Sequence, residues 1–163
     1  MLKDTLLGVV AGAAGTVALN VATYVDMAAR GRSSSSAPSK MVEIVANKAG
    51  LPLSAQGKGS QDETAQNRTS GLGALLGYAN GLGMGVAYGL LRSQIDELPL
   101  PLAGIGVGLL AMAASDVPLV ALKVSNPKTW GVSGWAADVI PHIIYGLVTV
   151  ATFEALSNAS ECE

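Results

Sequence analysis

Charge is what this sequence has least of, and the shortage is uneven. Only 22 of its 163 residues are Asp, Glu, Lys or Arg, or 13%, against about a quarter in an ordinary soluble domain. Four windows, 5–25, 69–91, 98–122 and 133–153, contain Asp116 and Asp138 as their only charged side chains. Basic surplus is also missing, because the net charge is −2 with a pI near 5.3. That balance excludes a phosphate-neutralising surface and with it a nucleic-acid partner. Cys162 is the single cysteine, so one chain can build neither an internal disulfide nor a thiolate metal cluster. A frayed tail thiol is the expectation for it. With His142 as the single histidine, two axial imidazoles for a haem are out of reach, and no cofactor or metal is expected.

What remains is apolar sequence in long pieces. Uncharged runs of this length suffice to cross a bilayer, and the chain reads as an all-α polytopic membrane protein. The expected architecture is a four-helix transmembrane bundle filling residues 1–163 as one domain, with spans near 5–28, 69–91, 98–122 and 133–154. The first run outlasts a signal-peptide core and reads as a retained helix. Arg30-Gly-Arg, four serines and Pro38 end it. In the polar loop 30–68, Met41, Ile44, Val45 and Ala49 recur at helical spacing, so a short amphipathic helix is expected at about 40–50. Residues 54–68 hold no large apolar side chain and read as mobile or loosely helical.

Arg30, Arg32, Lys40, Lys48, Lys58, Arg68, Lys123 and Lys128 fall in the first and third loops, against Lys3 and Arg92 on the other side. The positive-inside rule then puts both termini outside and loop 30–68 in the cytoplasm.

Glycine is plentiful, and its spacing is helical. Gly73, Gly77, Gly81, Gly85 and Gly89 recur every fourth residue, drifting only about 40° around a helix per step, so they form one groove for a partner backbone. Gly8 and Gly12 on the first span, and Gly104 and Gly108 on the third, are the expected counterparts. Such ridges either hold the monomer together or dock a second copy or another membrane protein, so a homo-oligomer or larger complex stands beside the lipid bilayer as the expected partner.

The residues that carry chemistry are the two remaining intramembrane charges. A carboxylate in the apolar zone is costly unless paired, hydrated or protonated. Asp116 precedes Lys123 by seven residues and Asp138 follows Gly131 by seven, which places both roughly 10 Å below the same cytoplasmic surface. Asp138 and His142 are four apart, close enough on a helix to share a proton. Pro118 and Pro141 each free a backbone carbonyl nearby. Asn20, Asn80 and Tyr145 complete a polar set that reads in two ways: a proton- or cation-responsive site of a transport- or channel-like protein, or mutual satisfaction that glues the bundle of a non-catalytic scaffold. Ser115 and Ser133 have no spacing that sets them against His142, so no enzyme is expected. Trp130 and Trp135 flank the start of the fourth span and read as interfacial anchors.

The glycine-rich first span, Ala87-Tyr-Gly-Leu-Leu closing the second and Asp138-Val-Ile-Pro-His-Ile-Ile-Tyr-Gly in the fourth together resemble the YagU-like group of small bacterial inner-membrane proteins. The resemblance implies a four-helix protein of the bacterial inner membrane and brings no catalytic residue.

Overall fold

The computed structural model describes residues 1–51, 53, 63–95 and 97–160. Five α-helices account for most of them: α1 Leu2–Arg30, α2 Ala37–Lys48, α3 Glu63–Leu91, α4 Leu100–Ala121 and α5 Gly131–Ala159. Single 3-10 turns, Arg92–Gln94 and Pro127–Thr129, lead into α4 and α5, and no strand occurs among the described residues.

Four of the helices are long and apolar enough to cross a membrane. Helices α1, α3 and α5 each have 29 residues, roughly 44 Å of length at 1.5 Å per residue, and so outreach the hydrocarbon layer of about 30 Å. No more than a third of any apolar window is buried within the protein. Leu6, Val10, Val17, Leu75, Leu110 and Val117 instead point outward from it. An outside this oily is matched to lipid rather than water.

The spans alternate in direction. Helix α1 packs against α3 on one side and α5 on the other, α5 against α4, while α3 and α4 lean on each other only lightly. Short helix α2 lies on the first half of α3, where Pro38 sits over Gly73. The helix begins three residues before the 40–50 expected from periodicity, because Ala37 and Pro38 occupy its first turn, where proline loses nothing. In the stretch that follows, residues 63–68, read as mobile or loosely helical, are helical and form the first turns of α3. Residues 54–62 and Cys162 lie outside the described residues.

Glycine sets how closely these helices meet. A methyl group at Gly8 would lie 2.6 Å from the carbonyl oxygen of Gly85, and one at Gly12 would lie 2.6 Å from that of Gly81. Backbone meets backbone along this seam. The α4·α5 seam repeats the device, since a methyl at Gly104 would lie 2.9 Å from Leu147 Cα and one at Gly108 would lie 3.0 Å from Ile143 Cα. The α3 ridge is not one groove, however. Gly73 receives α2, Gly81 and Gly85 receive α1, Gly89 abuts Asp4 and Phe153, and Gly77 faces open space. Different neighbours divide the ridge along its length. Gly15, outside every ridge expected from spacing, is pressed against Tyr145 and Thr149 of α5.

Candidate functional site

The α4·α5 seam positions the two intramembrane carboxylates. Helices drawn together at Gly104, Gly108 and Gly146 bring the side chains of Asp116 and Asp138 together toward the end where the α4–α5 connection lies. The two carboxyl groups face each other within hydrogen-bonding range. On each, Oδ2 is buried with no hydrogen-bond partner. Pro118 and Pro141 both lie inside continuous helices, so each withholds one backbone donor from the turn holding its neighbouring aspartate.

His142 completes the group. Its Nδ1 lies 2.8 Å from the carbonyl oxygen of Asp138, and because a carbonyl only accepts, Nδ1 carries the hydrogen. The same nitrogen is 3.4 Å from Asp138 Oδ1, too long for a good hydrogen bond yet close enough for strong electrostatic contact. Each of the three side chains interacts directly with the other two, by charge or by hydrogen bonding. The charged residues that the end of α1 contributes are engaged with one another: Asp26 binds Arg30 at 2.6 Å and also binds Arg32, while Arg30 donates to Ser133 Oγ at 2.6 Å.

Other members of the polar set go elsewhere. Asn80 Nδ2 donates to the Ala111 carbonyl at 3.1 Å and to Ser115 Oγ at 3.0 Å, tying α3 to α4, two helices that pack only lightly on each other. The Tyr145 hydroxyl donates to the Gly81 carbonyl at 2.6 Å, crossing the bundle from α5 to α3. Asn20 is half-buried on α1 and makes no side-chain hydrogen bond among the described residues. Of six polar residues, then, three converge and two brace the bundle.

The tryptophans share a groove with one of the three, Asp116. Trp130 and Trp135 have ring centroids 5.0 Å apart, inclined at 55°, and Trp130 Nε1 donates to Ser125 Oγ at 3.0 Å. Both line a groove of about 490 Å³ with Asp116, Leu109, Met112 and Val120. Among the described residues no three His, Cys, Asp or Glu side chains are arranged to hold a metal ion.

A second polar cluster occupies the opposite end. Glu154 of α5 accepts from the Tyr88 hydroxyl at 2.8 Å and from the Arg92 guanidinium, and Tyr88 meets Phe153 edge-on with centroids 5.3 Å apart. No spacing within one segment connects residues 62 or 66 positions apart. The available signal was topological: in an up-and-down bundle, the end of the second span and the end of the fourth share a surface.

Fold and surface define an all-helical multi-pass membrane protein. No family model, no curated protein and no solved structure matches this chain.

Proposed function

We propose that this is a small membrane protein of the proton-responsive transport type, in which Asp116, Asp138 and His142 take up and release a proton from the cytoplasmic side. One observation carries the reading: two carboxyl groups face each other across the α4·α5 seam, each with a buried oxygen lacking a donor, beside an imidazole. Two negative charges at this separation repel, whereas one proton between them supplies the missing donor and removes a charge. His142 Nε2 offers a second place for that proton. Placement in a bacterial inner membrane follows from the YagU-like resemblance. A cytoplasmic side for the site is supported by the basic loop ends, Arg30, Arg32, Lys123 and Lys128.

Docking through a glycine ridge has less to support it. Gly81, Gly85 and Gly89 are occupied by α1 and α5, and Gly73 by α2, which leaves Gly77 as a lone opening. The test is transport in sealed vesicles under an imposed pH gradient, read by an internal pH dye. Wild type should relax the gradient faster than empty vesicles, and Asp138→Asn and His142→Ala should not. Wild-type vesicles no faster than empty ones would end the proposal.

A further inference from the structure

The α1·α3 and α4·α5 seams are built alike. A methyl group at Gly85 of α3 would strike the Gly8 carbonyl oxygen and the backbone of Gly12, and one at Gly146 of α5 would strike the Gly104 carbonyl oxygen and the backbone of Gly108. The return contacts agree. A methyl at Gly8 would lie 2.9 Å from Val86 Cα, and one at Gly104 would lie 2.9 Å from Leu147 Cα. At Gly12 the neighbours are the Gly81 carbonyl oxygen and Leu82 Cα, and at Gly108 they are the His142 carbonyl oxygen and Ile143 Cα. One constant shift in numbering therefore carries α1 onto α4, and another carries α3 onto α5. Glycine spacing on separate helices could coincide by chance, but a shared set of contacts fixes register and crossing point together.

We infer that α1–α3 and α4–α5 are two copies of one helical hairpin about a twofold axis along the membrane normal, and that Asn20 with Gly77 is the silenced counterpart of the Asp116–Asp138 pair. Spans that alternate in direction make α1 parallel to α4 and α3 parallel to α5, as such an axis requires. Asn20 follows Gly12 by the same eight residues as Asp116 follows Gly108, and Gly77 precedes Gly85 by the eight that separate Asp138 from Gly146. Asn20 is half-buried and makes no side-chain hydrogen bond among the described residues. A methyl at Gly77 would meet nothing within 4 Å, so the place of the second carboxylate has room for a side chain. The place of the histidine has none, because a side chain at Gly81 would run into Thr16 Oγ1.

The axis would exchange α1·α5 with α3·α4, and there the symmetry is broken. Helix α1 packs along α5, whereas α4 meets α3 only lightly. Gly15 lies against Tyr145 and Thr149, and its counterpart on α4 is Ala111, whose methyl group keeps α3 at a greater distance. Resting on the proton reading above, the chain then holds one proton where two symmetric hairpins would hold two. Asparagine keeps the size of aspartate but cannot ionise, so the first hairpin carries no charge into the apolar zone and braces the second through α1·α5.

The experiment moves the carboxylate pair from one seam to the other. In purified protein carrying Asp116→Asn and Asp138→Asn, adding Asn20→Asp and Gly77→Asp should restore the infrared band of one protonated carboxyl group at neutral pH, shifted by exchange into heavy water, because two facing carboxylates again share a proton. In the same background, Gly77→Asp alone, or Asn20→Asp with Gly77→Asn, should lack the band, since each leaves a single carboxylate facing an amide. No band in the full variant while wild type shows one, or a band that one aspartate sustains, would overturn the inference. Cross-linking keeps the test open if that variant does not fold. In a Cys162→Ser chain, Asn20→Cys/Gly77→Cys and Asp116→Cys/Asp138→Cys should both close on oxidation with copper phenanthroline. Asn20→Cys/Gly83→Cys should not, because Gly83 is also open but lies about 240° further around α3. Closure of 116 with 138 but not of 20 with 77 would overturn the inference. Closure of both pairs in a protein whose wild type shows no protonated band would keep the two hairpins as copies and refute the proton reading.

Discussion

Replacing Gly12 by alanine tests how the bundle is held together. The new methyl carbon would lie 2.6 Å from the Gly81 carbonyl oxygen, 3.1 Å from Leu82 Cα and 3.2 Å from Gly85 Cα. All three are backbone atoms, so no side chain can turn aside. Comfortable separations begin at about 3.5 Å, and α1 must therefore retreat from α3 by about 0.9 Å at this point. A radial gap of that size forfeits roughly a quarter to a half of the dispersion energy along the seam, and overpacking of this kind typically costs about 1–3 kcal/mol. Alanine's better helix propensity returns at most about 1 kcal/mol. Gly77→Ala is the matched control, since a methyl there meets nothing within 4 Å and keeps only the propensity gain. Reversible unfolding in mixed micelles, followed by helical circular dichroism, should show Gly12→Ala destabilised by about 1–2 kcal/mol and Gly77→Ala unchanged or slightly stabilised. Equal shifts in the same direction would refute the packing argument, because both residues belong to the same kind of ridge and differ only in what faces them.

Three further expectations follow from named contacts. Tyr145→Phe keeps the ring and removes the 2.6 Å bond to the Gly81 carbonyl, so unfolding should become easier by about 0.5–1.5 kcal/mol; no loss would mean that the hydroxyl contributes nothing across the bundle. For Arg92 and Glu154, which bind directly, a double-mutant cycle to alanine should give a coupling of about 1–3 kcal/mol, and strict additivity would contradict the pairing. With Cys162 replaced by serine, a cysteine at position 128 in intact cells should react with membrane-permeant but not with impermeant thiol reagents, whereas blocking by the impermeant reagent would invert the proposed orientation.

Sequence makes the spans legible because the absence of charge over some twenty residues has one inexpensive physical outcome, a helix in lipid. It is less informative about where helices stop. Residues 63–68 carry helix-compatible polar side chains beyond the hydrocarbon, and hydropathy has nothing to say there. The glycine ridge was visible as a period, yet its partition among α1, α2, α5 and open space depends on crossing points that no single segment encodes. Asp116 and Asp138 could be placed at like depth from their distance to one connection, and the face each presents came only with the α4·α5 seam. Asn80 and Tyr145 have the same polarity as the site residues, but they reach across helices to Ser115 and Gly81. Trp130 and Trp135 were readable as anchors, whereas their shared groove with Asp116 needs α4 and α5 side by side. The Glu154 cluster was missed because its members are joined by topology alone.

The central claim is that Asp116 and Asp138 hold one proton between them, and infrared spectroscopy tests it by direct observation. A protonated carboxyl group gives a carbonyl stretching band well separated from the two bands of a carboxylate. At neutral pH the purified wild type should show one such band from a buried group, shifted by exchange into heavy water. Either Asp116→Asn or Asp138→Asn should remove it, because the remaining aspartate then faces an amide rather than a second negative charge. A wild-type spectrum without that band, or a band that survives either substitution, would contradict the account.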